Sequence, residues 1–161
     1  YNKEIYFAFL IGLIASLFDG ADGLVARTTG TTTKRGGYLD AVLDRYADCI
    51  AFGALILGGW MKPIEGIEFI SGEMWAIAAL VGAFQTSYAR AAAERLGISQ
   101  EGIGIIERPE RLFILGIGLL IGELMDNVEI IITFVVASLA ILGNLTVIQR
   151  VLHFWREAKD D

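Results

Sequence analysis

Carboxylates set at membrane depth constrain this chain more than any other feature. Its first third carries Asp19-Gly-Ala-Asp22-Gly23 and, after a short basic loop, Gly36-Gly-Tyr-Leu-Asp40-Ala-Val-Leu-Asp44. Both stretches lie between hydrophobic segments long enough to cross a bilayer. An acidic side chain at the centre of a membrane helix costs about 2.5–3.5 kcal/mol even on lenient insertion scales. At about 100° per residue, Asp19 and Asp22 share one helix face, and so do Asp40 and Asp44. Two facing helices therefore bring four carboxylates to one point, where they repel unless hard cations lie between them. The pattern predicts a magnesium-type site in a membrane protein.

The rest of the chain agrees. Hydrophobic residues make up 55% of the 161, and the mean hydropathy is +0.57. These values exceed ordinary soluble usage and point to an integral membrane protein. Periodicity predicts an all-α, polytopic transmembrane helical bundle in one domain, residues 1–161. Five helical segments are expected: about Ile5 to Arg27, Tyr38 to Trp60, Met74 to Arg95, Pro109 to Gly122 and Val128 to Arg150, followed by a polar tail. The chain opens on Tyr1 without an initiator Met, which reads as a fragment of a longer protein. A net charge of −6 argues against a nucleic-acid partner, which calls for a basic patch. The single cysteine, Cys49, excludes an intrachain disulfide and reads as a small packing residue.

Loop charge orients the segments. Arg27, Lys34 and Arg35 lie in the first loop, Arg90, Arg95, Arg108 and Arg111 flank the third, and Arg150, Arg156 and Lys159 close the chain. The other loops are acidic, with Glu65, Glu68 and Glu73 in one and Glu123, Asp126 and Glu129 in the other. The positive-inside rule then puts the aspartates at the cytoplasmic face of the cell membrane. Trp60 and Trp75 bracket an acidic loop as interfacial aromatics do, and His153 reads as interfacial rather than catalytic.

Each part of the aspartate run also has a plainer reading. The carboxylates can cap solvated helix ends. An EF-hand fails, because its alternating Asp/Asn ligands and closing Glu are absent. Gly23 lets a ligand approach the backbone beside Asp22, though helix packing uses glycine equally well. Arg27 can fork onto a phosphate or simply flank a span. Residues 28–33 hold five hydroxyls and one glycine ahead of Lys34 and Arg35, a loop able to donate to phosphate oxygens. Together they describe a metal-bridged diphosphate site.

The run resembles the signature of the CDP-alcohol phosphotransferase family, D-x-x-D-G-x-x-A-R-x8-G-x3-D-x3-D, at every specified position. The resemblance implies a six-helix membrane enzyme, of which this chain holds five spans and lacks the first. It implies transfer of a phospho-alkyl group from a CDP-linked lipid to an alcohol, with release of CMP. Asp19, Asp22, Asp40 and Asp44 would hold two Mg²⁺ or Mn²⁺ ions, with Asp44 also the base. Gly23, Arg27 and Thr33 would contact the CDP donor. A second, shorter stretch, Ile106-Glu-Arg-Pro-Glu-Arg111, reads bottom-up as ordinary helix-start grammar. It also resembles the phosphatidylinositol-phosphate and archaetidylinositol-phosphate synthase branch, which implies inositol phosphate as acceptor. By position, Arg90, Arg108 and Arg150 are then the candidates to hold the acceptor's phosphate. Membrane lipid is the expected surrounding, and a homodimer is compatible with the fold.

Other readings compete. Within the same family the acceptor can be glycerol phosphate, serine or free inositol, or the donor CDP-inositol. Intramembrane prenyltransferases need a second Asp-rich motif, whereas the next aspartate after Asp48 is Asp126, alone in a loop. A divalent-cation transporter should line several spans with acids, yet none falls between Met74 and Ala93 or between Ile130 and Arg150.

Overall fold

The computed structural model describes residues 33–158, which form four α-helices and, among the described residues, no strand. They are α1 (Lys34–Leu57), α2 (Gly72–Arg95), α3 (Arg108–Leu124) and α4 (Val128–Glu157). The first expected segment, with Asp19, Asp22, Gly23 and Arg27, lies outside the described residues.

Helix α1 begins four residues before the expected Tyr38, despite two glycines in its first turn. The cap decides the boundary: the Thr33 hydroxyl accepts from the Gly36 N–H at 3.0 Å and satisfies an orphan donor. Ser71 caps α2 in the same way, accepting from Met74 N–H at 3.3 Å. At the other end of the chain, the expected polar tail is helical through Glu157. No glycine or proline interrupts that stretch, so nothing stops the helix at Arg150.

Helices α2 and α4 pack most closely, with α3 against α4 and α1 against α2. Phe52, Leu55, Ala76, Ala79, Leu115, Leu119, Ile132, Val136 and Leu139 form the core between them. The α2–α4 contact is close because Gly82 faces Gly143 and Asn144; a Cβ at Gly82 would lie 3.0 Å from Asn144 Nδ2 and 3.2 Å from its backbone nitrogen. Asn144 Nδ2 also donates across to the Ala78 carbonyl at 3.0 Å, tying the two helices at the same level. Gly82→Ala should therefore force these backbones apart and destabilise the fold by about 1–3 kcal/mol. A thermal-unfolding midpoint measured in detergent checks this; an unchanged midpoint would show that the contact is looser than these distances indicate.

The helices run alternately up and down. Lys62, after α1, pairs with Glu129 at the start of α4 at 3.3 Å, so the two acidic loops share one end of the bundle. Arg108, at the start of α3, meets Asp44 near the start of α1, which marks the opposite end. The alternation of acidic and basic loops read from the sequence is thus built into the packing.

Of the described helices, only α4 is long and apolar enough to cross a membrane by length and composition. The other three described helices fall short of that measure for physical reasons. Helix α1 opens with Lys34, Arg35, Asp40, Asp44, Arg45 and Asp48, and α2 ends in Arg90, Glu94 and Arg95. Helix α3 has 17 residues, roughly 25 Å at 1.5 Å per residue, against a hydrocarbon core of about 30 Å. Cys49, expected to pack, is instead exposed, because its neighbour Asp48 takes the inward-facing position on α1.

Candidate active site

The site is built where α1 and α3 begin and α2 and α4 end. Asp40, Asp44 and Asp48 follow at four-residue intervals and so share one face of α1. Asp40 is exposed, Asp44 partly buried, and Asp48 fully buried. The face therefore runs from solvent into the bundle.

Opposite it, α3 contributes Arg108 and Arg111, one turn apart. Arg108 Nη1 lies 2.6 Å from Asp44 Oδ1, and Arg111 Nη2 donates to Asp48 Oδ2 at 2.9 Å. Arg45, on α1 itself, approaches both carboxylates at 3.8 Å. The start of α3 is well defined: Pro109 occupies its first turn, and Glu110 accepts from the Glu107 backbone N–H at 3.0 Å, half of a capping box.

Glu107 joins the remaining arginines. Arg150 Nη2 donates to its Oε1 at 2.9 Å, and Arg90 Nη1 lies 3.7 Å from the same oxygen. Arg90 also bonds Glu94 at 2.8 Å, one turn along α2. Arg150 is buried and reaches two carbonyls, Ile103 at 2.9 Å through Nε and Thr86 at 2.7 Å through Nη1. A guanidinium has five N–H donors, so two remain beyond these three bonds.

The connection from α2 to α3 is held onto α4 by the same region. Thr146 accepts from the N–H groups of Ile105 and Ile106, each at 3.2 Å, and donates to Leu142 O at 3.0 Å. Gly104 beside it has φ +129°, and a side chain there would run into Thr146. Gln100 is fully buried and donates to the Arg150 carbonyl at 3.4 Å. His153 lies 3.2 Å from the Ser99 carbonyl, on the outer side of this strap.

Of the residues expected to hold donor, metal or acceptor, the fold brings Asp44 and Arg108 into contact and joins Arg90 to Arg150 through Glu107. Thr33 stands at the exposed start of α1, with its hydroxyl committed as acceptor to the helix cap. Asp40 lies on the Asp44 face. Sequence reading assigned no role to Asp48, Arg45 or Arg111, although the continued four-residue spacing from Asp40 through Asp48 was a usable signal for the first.

Carboxylate oxygens are the donors that hard divalent ions select. Asp44 Oδ1 already faces a cationic group, so this position suits positive charge. Among the described residues no group of three or more His, Cys, Asp or Glu gathers as a complete ligand set. The described residues thus offer Asp40 and Asp44 as carboxylate donors on one face of α1, without a complete ligand set.

Comparison with known proteins gives a consistent result. The sequence model of the CDP-alcohol phosphatidyltransferase family matches residues 1–142. Archaetidylinositol phosphate synthase from Methanothermobacter thermautotrophicus is 38% identical over 148 residues, covering 91% of this chain and 69% of that protein. The enzyme of the same name from Pyrococcus horikoshii is 34% identical over 94% of this chain and 71% of its own length. Among solved structures, Mycobacterium tuberculosis phosphatidylinositol phosphate synthase with manganese and citrate superposes with a TM-score of 0.72 at 29% identity, covering 95% of this chain and 78% of that one. The same protein with CDP-DAG bound also gives a TM-score of 0.72, at 28% identity over 98% of this chain and 83% of that one.

Proposed function

This chain belongs to the CDP-alcohol phosphatidyltransferase family, and from that premise we propose that it transfers the phospho-alkyl group of a CDP-linked lipid to a hydroxyl of inositol phosphate. The acceptor oxygen forms a bond to the lipid-bearing phosphorus, the bond from that phosphorus to CMP breaks, and the hydroxyl proton leaves to a carboxylate. The donor is a phosphatidyl or archaetidyl CDP-lipid; synthases named for both lipid types are similar to this chain, and one solved relative binds CDP-DAG.

Asp19, Asp22, Asp40 and Asp44 would hold two divalent ions, Mg²⁺ or Mn²⁺; a related structure contains manganese. Bound there, such ions screen the diphosphate and stabilise the departing phosphate. The chain's own residues do the rest. Asp44 takes the hydroxyl proton. Gly23, Arg27 and Thr33 cradle the cytidine diphosphate. Arg108, Arg90 and Arg150 bind the acceptor's phosphate, to which planar guanidinium forks are better matched than ammonium groups.

The observation that carries this reading is the 2.6 Å contact between Asp44 and Arg108. It joins the residue read as base to a residue read as acceptor anchor, from helices 64 positions apart in sequence. A base and an acceptor anchor must be neighbours for the hydroxyl to be deprotonated where it is held.

The membrane reading rests on an inverted surface. Ile77 and Val81 on α2, Phe113, Ile117 and Leu120 on α3, and Phe134, Ile141, Ile148 and Leu152 on α4 are exposed, whereas Asp48, Arg111 and Arg150 are buried. An apolar surface that broad needs lipid, or in part a second copy of the chain, to cover it. We read five spans here, with the site facing the cytoplasm.

Acceptor choice is tested directly. The protein, incubated with a CDP-lipid and a panel of inositol phosphate, free inositol, glycerol phosphate and serine, should release CMP efficiently only with inositol phosphate. Arg108→Ala should raise the apparent KM for inositol phosphate by about tenfold or more, the weight of a charge-assisted bond, with the donor KM nearly unchanged. Transfer to glycerol phosphate or serine with inositol phosphate inert would overturn the acceptor while leaving the family intact.

A further inference from the structure

Asp48 lies outside the aspartate pattern that marks the family and has no part in the chemistry above. It falls one helical turn after Asp44, on the same face of α1 but inside the bundle, where it is 1% exposed. A carboxylate at that depth must be paired. Three guanidiniums surround it. Arg111 Nη2 donates to Oδ2 at 2.9 Å, Arg45 Nε lies 3.8 Å from the same oxygen, and Arg108 Nε lies 3.9 Å from Oδ1.

Two of these arginines belong to α3, so Asp48 is a charge link between α1 and α3. These helices are not among the closely packed pairs, which are α2–α4, α3–α4 and α1–α2. At this end the two helices meet through long side chains that reach Asp44 and Asp48. Arg108 stands between two of them, with Nη1 on Asp44 and Nε facing Asp48. At 3.9 Å the draw of Asp48 on Nε is coulombic and longer than a hydrogen bond, so it biases the plane of the guanidinium that Asp44 holds at its other edge.

We propose that Asp48 is a positioning residue for the transfer. Locked by Arg111, its buried charge sets the plane and reach of the Arg108 guanidinium, so that Arg108 is presented to the acceptor's phosphate and does not fold wholly onto Asp44. This rests on the reading of Arg108 as an acceptor anchor.

The test uses the full-length protein in vesicles, with apparent KM measured separately for inositol phosphate and for the CDP-lipid. Asp48→Asn should raise the acceptor KM about tenfold, within the range of coupling energies between contacting residues, and leave the donor KM within about twofold. Because that variant strands the buried Arg111, the double variant Asp48→Asn/Arg111→Gln removes both charges and should recover the thermal midpoint. Positioning requires the acceptor KM to stay raised in the double variant. A KM that recovers together with the midpoint would show a merely structural pair and overturn the proposal. In an Arg108→Ala background, Asp48→Asn should add little to the acceptor KM, and full additivity would also overturn it. If Arg108→Ala itself leaves the acceptor KM unchanged, the acceptor reading fails and takes this proposal with it. An Arg108→Ala effect without an Asp48→Asn effect defeats this proposal alone.

Discussion

Asp44→Asn is expected to reduce transfer by about a thousandfold or more, in line with single losses inside catalytic units, while the protein stays folded. Asparagine keeps the shape of the side chain but cannot take the acceptor's proton and is a poorer ligand for a hard cation. Asp44 is only partly buried, and Arg108 loses one partner while still facing Asp48. The stability loss should therefore be small beside the catalytic one. Losses at Asp19, Asp22 or Asp40 should be near-total as well, and combining them with Asp44→Asn should add little, since groups acting as a unit are not additive. The measurements are CMP release, lipid product and thermal midpoint on the same preparations. Substantial CMP release by a folded Asp44→Asn protein with intact metal content would assign the base to another residue.

How much of this was legible beforehand differs from residue to residue. Helix existence was readable because apolar periodicity and caps are local: Ser71 ahead of Met74 and Pro109 after Glu107 announce their helices. Helix ends were less so. Thr33 overrides two helix-weakening glycines, and the reach of α4 to Glu157 depends on the lack of any stop signal in the tail. The Asp40/Asp44 face followed from helical spacing alone. The arginine partners did not, because spacing within a helix says nothing about which carboxylate across the bundle a guanidinium reaches. Asp48 looked like one more polar residue near a helix start. Only packing shows that it is buried among Arg45, Arg108 and Arg111. Glu107 was likewise readable as an acid near a helix N-terminus, whereas its bridge from Arg150 to Arg90 is a tertiary fact.

Arg150→Ala is expected to differ in kind from Arg108→Ala, although both arginines were read as acceptor anchors. Arg150 is 4% exposed, and its guanidinium satisfies Ile103 O, Thr86 O and Glu107 at once. Truncation leaves the Ile103 carbonyl short of a donor, takes the second donor from Thr86 O and frees Glu107, which also faces Arg90. Each stranded buried group costs about 1–3 kcal/mol, so roughly 3 kcal/mol of stability should go. For a chain of this size that lowers the unfolding midpoint by roughly 6–12 °C. Activity should fall as well, because the strap from Gln100 to Glu107 leads directly into Arg108 and is held by this guanidinium and Thr146. Arg150→Lys keeps the charge but cannot span three acceptors with a planar fork, so its midpoint should lie between those of wild type and Arg150→Ala. By contrast, Arg108→Ala should act chiefly on the acceptor KM, because Asp48 keeps Arg111 and Asp44 is only partly buried. An Arg150→Ala protein with an unshifted midpoint and a raised acceptor KM would show that its phosphate contact outweighs its hold on the strap.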